Sequence, residues 1–135
     1  MTEAGYSGTP LRKKLGVLPG QLTWRLAMPE AVANAIDGDG PPTLLAEPVA
    51  GLESAHLFVT ERVVLAAELA RLRPLLAAKG MVWVSWPKKA ANVPTDVTED
   101  VIREIALPLG YVDVKVCAVD AVWSGLKLVI RVTER

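Results

Sequence analysis

The chain has 135 residues, the size of one domain, and 51% of them are hydrophobic, enough to supply a core. Fifteen basic and 15 acidic side chains leave no net charge, which argues against a protein that coats nucleic acid, whose footprint is strongly basic. One cysteine and one histidine exclude an internal disulfide and an ordinary zinc site.

Residues 1–8 are small, polar and glycine-rich, and read as a flexible N-terminal segment of a single α/β domain spanning 1–135. They hold no basic region followed by an apolar run, so no secretory signal is expected. With no stretch apolar enough to span a membrane and a lone cysteine, the expected compartment is the cytoplasm. Thr9 caps and Pro10 opens a short helix over 11–15, stopped by Gly16. Pro19-Gly20 suits the middle of a type II turn, leading into a first strand over 21–27. Pro29 opens a helix that reaches Ile36 and ends at Gly38. Asp37-Gly38-Asp39-Gly40-Pro41-Pro42 is loop chemistry. A short strand is expected over 43–47. The following segment, 48–54, is too short for a helical crossover and its path stays open.

Residues 55–60 read as a buried strand, and 61–79 as a helix with Leu65, Leu69, Leu72 and Leu76 on one face. Pro74 should kink or restart that helix, and Gly80 should end it. Met81-Val82-Trp83-Val84-Ser85-Trp86 is a near-continuous apolar run, a central strand that delivers Pro87-Lys88-Lys89 to one edge of a sheet. Asp96 or Thr98 can cap a helix whose first turn carries Glu99 and Asp100, with Val101, Ile102, Ile105 and Leu109 as its apolar face and Gly110 at its end. Two strands follow, over 111–119 and 126–133, joined tightly and therefore antiparallel. This alternation predicts a mostly parallel sheet with one reversed strand near the C-terminus and helices on both faces.

In such sheets ligands bind outside the carboxyl ends of the parallel strands. That rule collects Thr60 from one strand and Trp86, Lys88 and Lys89 from the next. Trp123 and Ser124 join them if the reversed strand lies beside the central one. Arg12, Lys13 and Lys14 could fold over the same edge as anion contacts. Two indoles, lysines and a serine could hold a small anion, a planar ring or an acidic protein segment.

Each of these residues also has a plainer reading. Trp83 belongs in the core. Trp86 and Trp123 can be packing, and Lys88 and Lys89 a solvated loop. Arg12-Lys13-Lys14 can be the wet face of a short helix. Cys117 reads as inert and buried. His56 opens its strand at the end away from the crevice, leaving Ser85 and Ser124 without a histidine in reach. No glycine-flanked nucleophile turn and no phosphate loop occurs, and no catalytic residue, metal or cofactor is expected. A mean hydropathy of +0.30 suggests apolar surface covered by a second subunit, a homodimer.

From Leu72 onward the stretch Leu-Arg-Pro-Leu-Leu-Ala-Ala-Lys-Gly-Met-Val-Trp-Val resembles the C-terminal half of a class I S-adenosylmethionine-dependent methyltransferase. So do Ala106-Leu107-Pro108-Leu109-Gly110-Tyr111 with the closing hairpin, and Gly16-Val17-Leu18-Pro19-Gly20 as the lead into a first strand. The likeness implies a Rossmann-like fold. It also implies a glycine-rich turn after the first strand, where this chain has Leu26-Ala27-Met28-Pro29-Glu30, and an acid at the end of the second, where Glu47 followed by Pro48 is the candidate. One crossover helix is missing. Four further stretches, Gly5–Leu11, Trp83–Lys89, Asp113–Asp120 and Trp123–Lys127, resemble a bacterial family of small proteins catalogued as a domain of unknown function. That likeness implies no activity, cofactor or catalytic residue. The expected function is a non-catalytic binding or interaction module on a trimmed methyltransferase-like fold. An active methyltransferase is the alternative, and a weak nucleic-acid binder using Arg12-Lys13-Lys14 and Lys88-Lys89 the lesser one.

Overall fold

The computed structural model describes residues 9–38 and 40–135, so the expected flexible segment and Asp39 lie outside the described residues. Gly16, in the left-handed conformation with φ 72°, closes α1 (Leu11–Leu15), and Pro10 rather than Thr9 occupies its N-cap position. The turn at Pro19-Gly20 is of type II: Gly20 has φ 74° and the Gln21 amide donates to the Leu18 carbonyl at 3.2 Å. It feeds β1 (Leu22–Leu26), and α2 (Glu30–Asp37) follows. Gly38 stays right-handed at φ −42° and is not a left-handed cap.

The strand expected over 43–47 shrinks to β2 (Thr43–Leu44), and β3 (Leu52–Phe58) begins earlier than expected. Together these explain the open segment. Leu44 is level with Thr23 of β1, which is level with Ser54 of β3. The chain therefore leaves β2 already near the foot of β3 and needs no helix to return there.

Helix α3 (Arg62–Leu72) buries Leu65, Leu69 and Leu72. Pro74 neither kinks nor restarts it. The helix stops before the proline, as the steric bias on the preceding residue favours, and Leu76 already belongs to β4 (Leu76–Pro87). Leu76 pairs with Leu52, and after an irregularity Met81 pairs with Ser54. At Gly80 in that bulge an added Cβ would lie 3.0 Å from the carbonyl oxygens of both Ala77 and Leu52, so backbone closeness selects the glycine there. Helix α4 (Glu99–Ala106) is capped by the Thr98 hydroxyl, which accepts from the Val101 amide at 3.2 Å. Strands β5 (Tyr111–Ala118) and β6 (Trp123–Ile130) follow, then a 3-10 turn over Val132–Glu134, so Trp123 and Ser124 lie on β6 and not in the connecting loop.

The six strands form one sheet in the order β2-β1-β3-β4-β6-β5. All are mutually parallel except β6, which runs antiparallel to both of its neighbours. One face packs on α3 and α4 through Leu65, Leu69, Ile102, Val82 and Val84. The other packs on α1 and α2 through Leu15, Val32, Ile36, Phe58 and Trp83. Trp83 is 1% exposed, and its indole Nε1 donates to the Leu15 carbonyl at 2.8 Å. That bond satisfies one of the carbonyls that a helix C-terminus leaves open and pins the five-residue α1 to the sheet. Among the described residues no helix is long and apolar enough to cross a membrane.

Candidate functional site

Strand β1 passes through α2 outward to β2, while β3 passes through α3 in the opposite direction to β4. The carboxyl ends of β1 and β3 thus flank a topological switch point, the place where open α/β sheets receive ligands. One wall is the turn Leu26–Pro29. Ala27 there takes φ 56°, the left-handed region that glycine enters without strain. The backbone makes the turn of a glycine although the residue is alanine. The other wall is Val59–Glu61, with Thr60 half-buried.

Thr60, Trp86, Lys88, Lys89, Trp123 and Ser124 do share the carboxyl rim, because β6 lies beside β4 with Trp86 opposite Ser124 and Pro87 opposite Trp123. They do not form one pocket. Directly paired residues share a face and successive residues alternate, so the two indoles end up on opposite faces. Trp86 packs with the α3/α4 cluster and Trp123 with the α1/α2 cluster, where it meets Phe58 edge-on at 5.1 Å.

Lys88 is a structural tie. Its ammonium donates to the Asp120 carbonyl at 2.7 Å and its amide to the Val122 carbonyl at 2.7 Å. The Asp120 carboxylate in turn accepts from the Val122 and Trp123 amides at 2.9 and 2.8 Å, which closes the β5–β6 turn. Lys89 is exposed, and among the described residues its ammonium has no partner. The Thr60 carbonyl accepts from the Thr95 hydroxyl at 2.7 Å and the Asp96 amide at 3.2 Å. Asp96 accepts from the Arg62 amide at 2.7 Å, so it caps α3 rather than the helix that follows it.

Of the N-terminal cations, Lys14 reaches the rim, donating to the Ala118 carbonyl at 3.2 Å. Arg12 instead donates to the Gly40 carbonyl at 2.8 Å, and Lys13 is exposed. A cavity of about 330 Å3 lies away from the rim, bordered by Arg12, Lys13, Val17 and Leu18.

Two arrangements were not foreseen in the sequence. His56 sits inside β3 rather than at its start, and its Nε2 is 2.7 Å from the Ser85 hydroxyl. A histidine is therefore in reach of Ser85 after all. The pair is sealed from substrate, with His56 4% and Ser85 0% exposed, and His56 stacks on Phe58 at 4.5 Å. Burial, and after it the charge of Arg25, push the imidazole down to about 3, so it is neutral and serves packing. Arg25 itself makes a two-pronged ion pair with Asp37 at 2.7 and 2.9 Å. No short-range spacing announces the His56–Ser85 contact; the register of β3 and β4, with His56 level with Trp83 and Phe58 with Ser85, brings the two onto one face. Cys117 is half-buried rather than fully buried, and burial raises its thiol, opposed by Lys14 and Lys115. Among the described residues no cluster of histidine, cysteine or acid is arranged to hold a metal.

No protein-family model and no curated protein matches the chain. The similarity is structural. Magnesium protoporphyrin IX methyltransferase from Synechocystis PCC 6803, with bound S-adenosylmethionine, superposes with a TM-score of 0.58 at 12% identity over 89% of this chain and 74% of that one. A TehB-like S-adenosylmethionine-dependent methyltransferase from Corynebacterium glutamicum gives 0.54 at 9% identity, covering 95% and 91%. LepI in complex with S-adenosylmethionine gives 0.54 at 14% identity over 90% of this chain. This chain spans 39% of the length of LepI. At these identities the likeness establishes the fold: Rossmann-like, as in S-adenosylmethionine-dependent methyltransferases.

Proposed function

We propose that the protein binds a small planar or anionic ligand, without catalysis, along the carboxyl edge from Ala27 through Thr60 to Lys89. The observation behind this reading is the switch point between β1 and β3, flanked by a left-handed turn at Ala27, with the exposed Lys89 following β4 at the same edge. Among the described residues the acids at that edge, Glu61 and Asp96, have no histidine beside them, and the Ser85–His56 pair is buried away from it. Benzoate, a planar anion, is a suitable probe. Titration should shift the backbone amide signals of Ala27, Thr60 and Lys89, and Lys89→Ala should weaken binding about ten-fold, one charge-assisted contact, with the melting temperature unchanged. Unaltered affinity in Lys89→Ala, or no shift of those amides, overturns the reading.

A second reading is S-adenosylmethionine-dependent methyl transfer. The structural neighbours favour it over the first, since they are such methyltransferases across most of this chain's length. The glycine-like turn at Ala27 also supports it. Transfer of a labelled methyl group from the donor to any acceptor would carry this reading.

A further inference from the structure

We infer that the crevice between β1 and β3 does not seat S-adenosylmethionine, or another ribose-bearing cofactor, in the manner of doubly wound folds. The inference goes beyond the first of the two readings above, stands without it, and bears against the second. Such a seat uses a first turn whose glycines let the backbone approach the cofactor, and an acid beyond the second strand that accepts from the ribose hydroxyls. The first element survives in part. Ala27 keeps the left-handed backbone at φ 56°, but it is exposed and carries a methyl group where a glycine would carry none. Met28 follows, packed on the α1/α2 cluster.

The second element is lost through the register of β2. That strand ends with Leu44 level with Thr23, and its last backbone bond to β1 runs from the Leu45 amide to the Thr23 carbonyl at 2.8 Å. The chain then bends away before it draws level with Leu26, the end of β1. Glu47, the first acid after β2, is carried with it. Its carboxylate lies 3.8 Å from the guanidinium of Arg71, in the last turn of α3. Arg71 is itself held 5.0 Å from the centre of the Trp24 ring. Helix α3 starts at the carboxyl edge and runs to the amino edge, so Glu47 has been drawn toward the wrong end of the sheet. Two charge-assisted hydrogen bonds to a ribose are thereby unavailable, a loss of roughly 100-fold in affinity.

Calorimetric titration of the full chain with S-adenosylmethionine and S-adenosylhomocysteine tests this, with the Ala27, Met28 and Thr60 amides followed in parallel. No saturable heat is expected up to about 1 mM, in the wild type or in Ala27→Gly, which removes the methyl group but does not restore the acid. Saturable one-to-one binding by the wild type overturns the inference, whether or not Glu47→Gln weakens it. If that binding also moves the Ala27 and Thr60 amides, the crevice remains a ligand site and only the exclusion falls. Silence toward both nucleosides while benzoate moves those amides supports the exclusion and the binding reading together. Silence toward all three supports the exclusion and removes the binding reading.

Discussion

At the scale of single residues, burial decides what each polar group does. The His56 imidazole titrates near 6.5 when free and is pushed down to about 3 by burial and Arg25. The folded state therefore resists a proton that the unfolded chain accepts. The stabilisation is fully present above pH 6.5 and is lost as pH falls from there toward 3, at up to about 1.4 kcal/mol per pH unit. Arg25, the charge that acts on it, is itself paired with Asp37. Urea unfolding at pH 7 and pH 5 should show this loss in the wild type. His56→Phe with Ser85→Ala, which removes the buried pair without orphaning a hydroxyl, should show a smaller one; an equal loss would place the acid sensitivity elsewhere. The two lysines at the rim separate by the same logic. Lys88→Ala breaks a half-buried tie to Asp120 and should cost about 1–3 kcal/mol, while Lys89→Ala should stay within about 0.5 kcal/mol. Equal melting temperatures for the two variants would contradict the geometry.

At the scale of elements, helix ends are settled by neighbours as often as by adjacent sequence. Thr98 caps its own helix, as its position predicts. Asp96, just as plausible there by residue type, caps α3 across 34 positions. Asp96→Ala should loosen α3 and Thr98→Ala α4, each by about 0.5–2 kcal/mol. Amide exchange would distinguish them, with the first turn of α3 opening in one variant and that of α4 in the other. The early end of α3 has a similar origin. The leucine spacing continues through Leu76, but Pro74 and the pairing of Leu76 with Leu52 turn that last leucine into a strand residue. Periodicity cannot register a partner strand that lies more than twenty positions away.

At the scale of the molecule, both faces of the central strands are covered and both edges of the sheet are blunted. Edge strand β2 has two residues and is flanked by Pro41, Pro42 and Pro48. On the other edge, β5 carries an irregularity between Asp113 and Lys115 that makes Val114 an extra residue, followed by the exposed Lys115. Short edges, prolines, bulges and lysines all discourage strand addition. Protection from exchange should therefore rank β3, β4 and β6 highest, with β2 and α1 opening first. Exchange in α1 as slow as in β4 would mean that the indole bond from Trp83 and the buried Leu15 anchor it more firmly than its length suggests.

The amino-acid sequence by itself determined the alternation of helices and strands, the reversal of the last strand, the burial of Trp83 and the rim that carries Thr60, Trp86, Lys88 and Lys89. Those features follow from local periodicity, turn chemistry and the shortness of the last connection, all encoded within a few residues. Only the tertiary structure decided that the indoles of Trp86 and Trp123 face opposite ways, that Lys88 is consumed by Asp120, that His56 meets Ser85, and that Glu47 turns toward Arg71. Each of these depends on strand register, and a one-residue difference in register moves a side chain to the other face of the sheet.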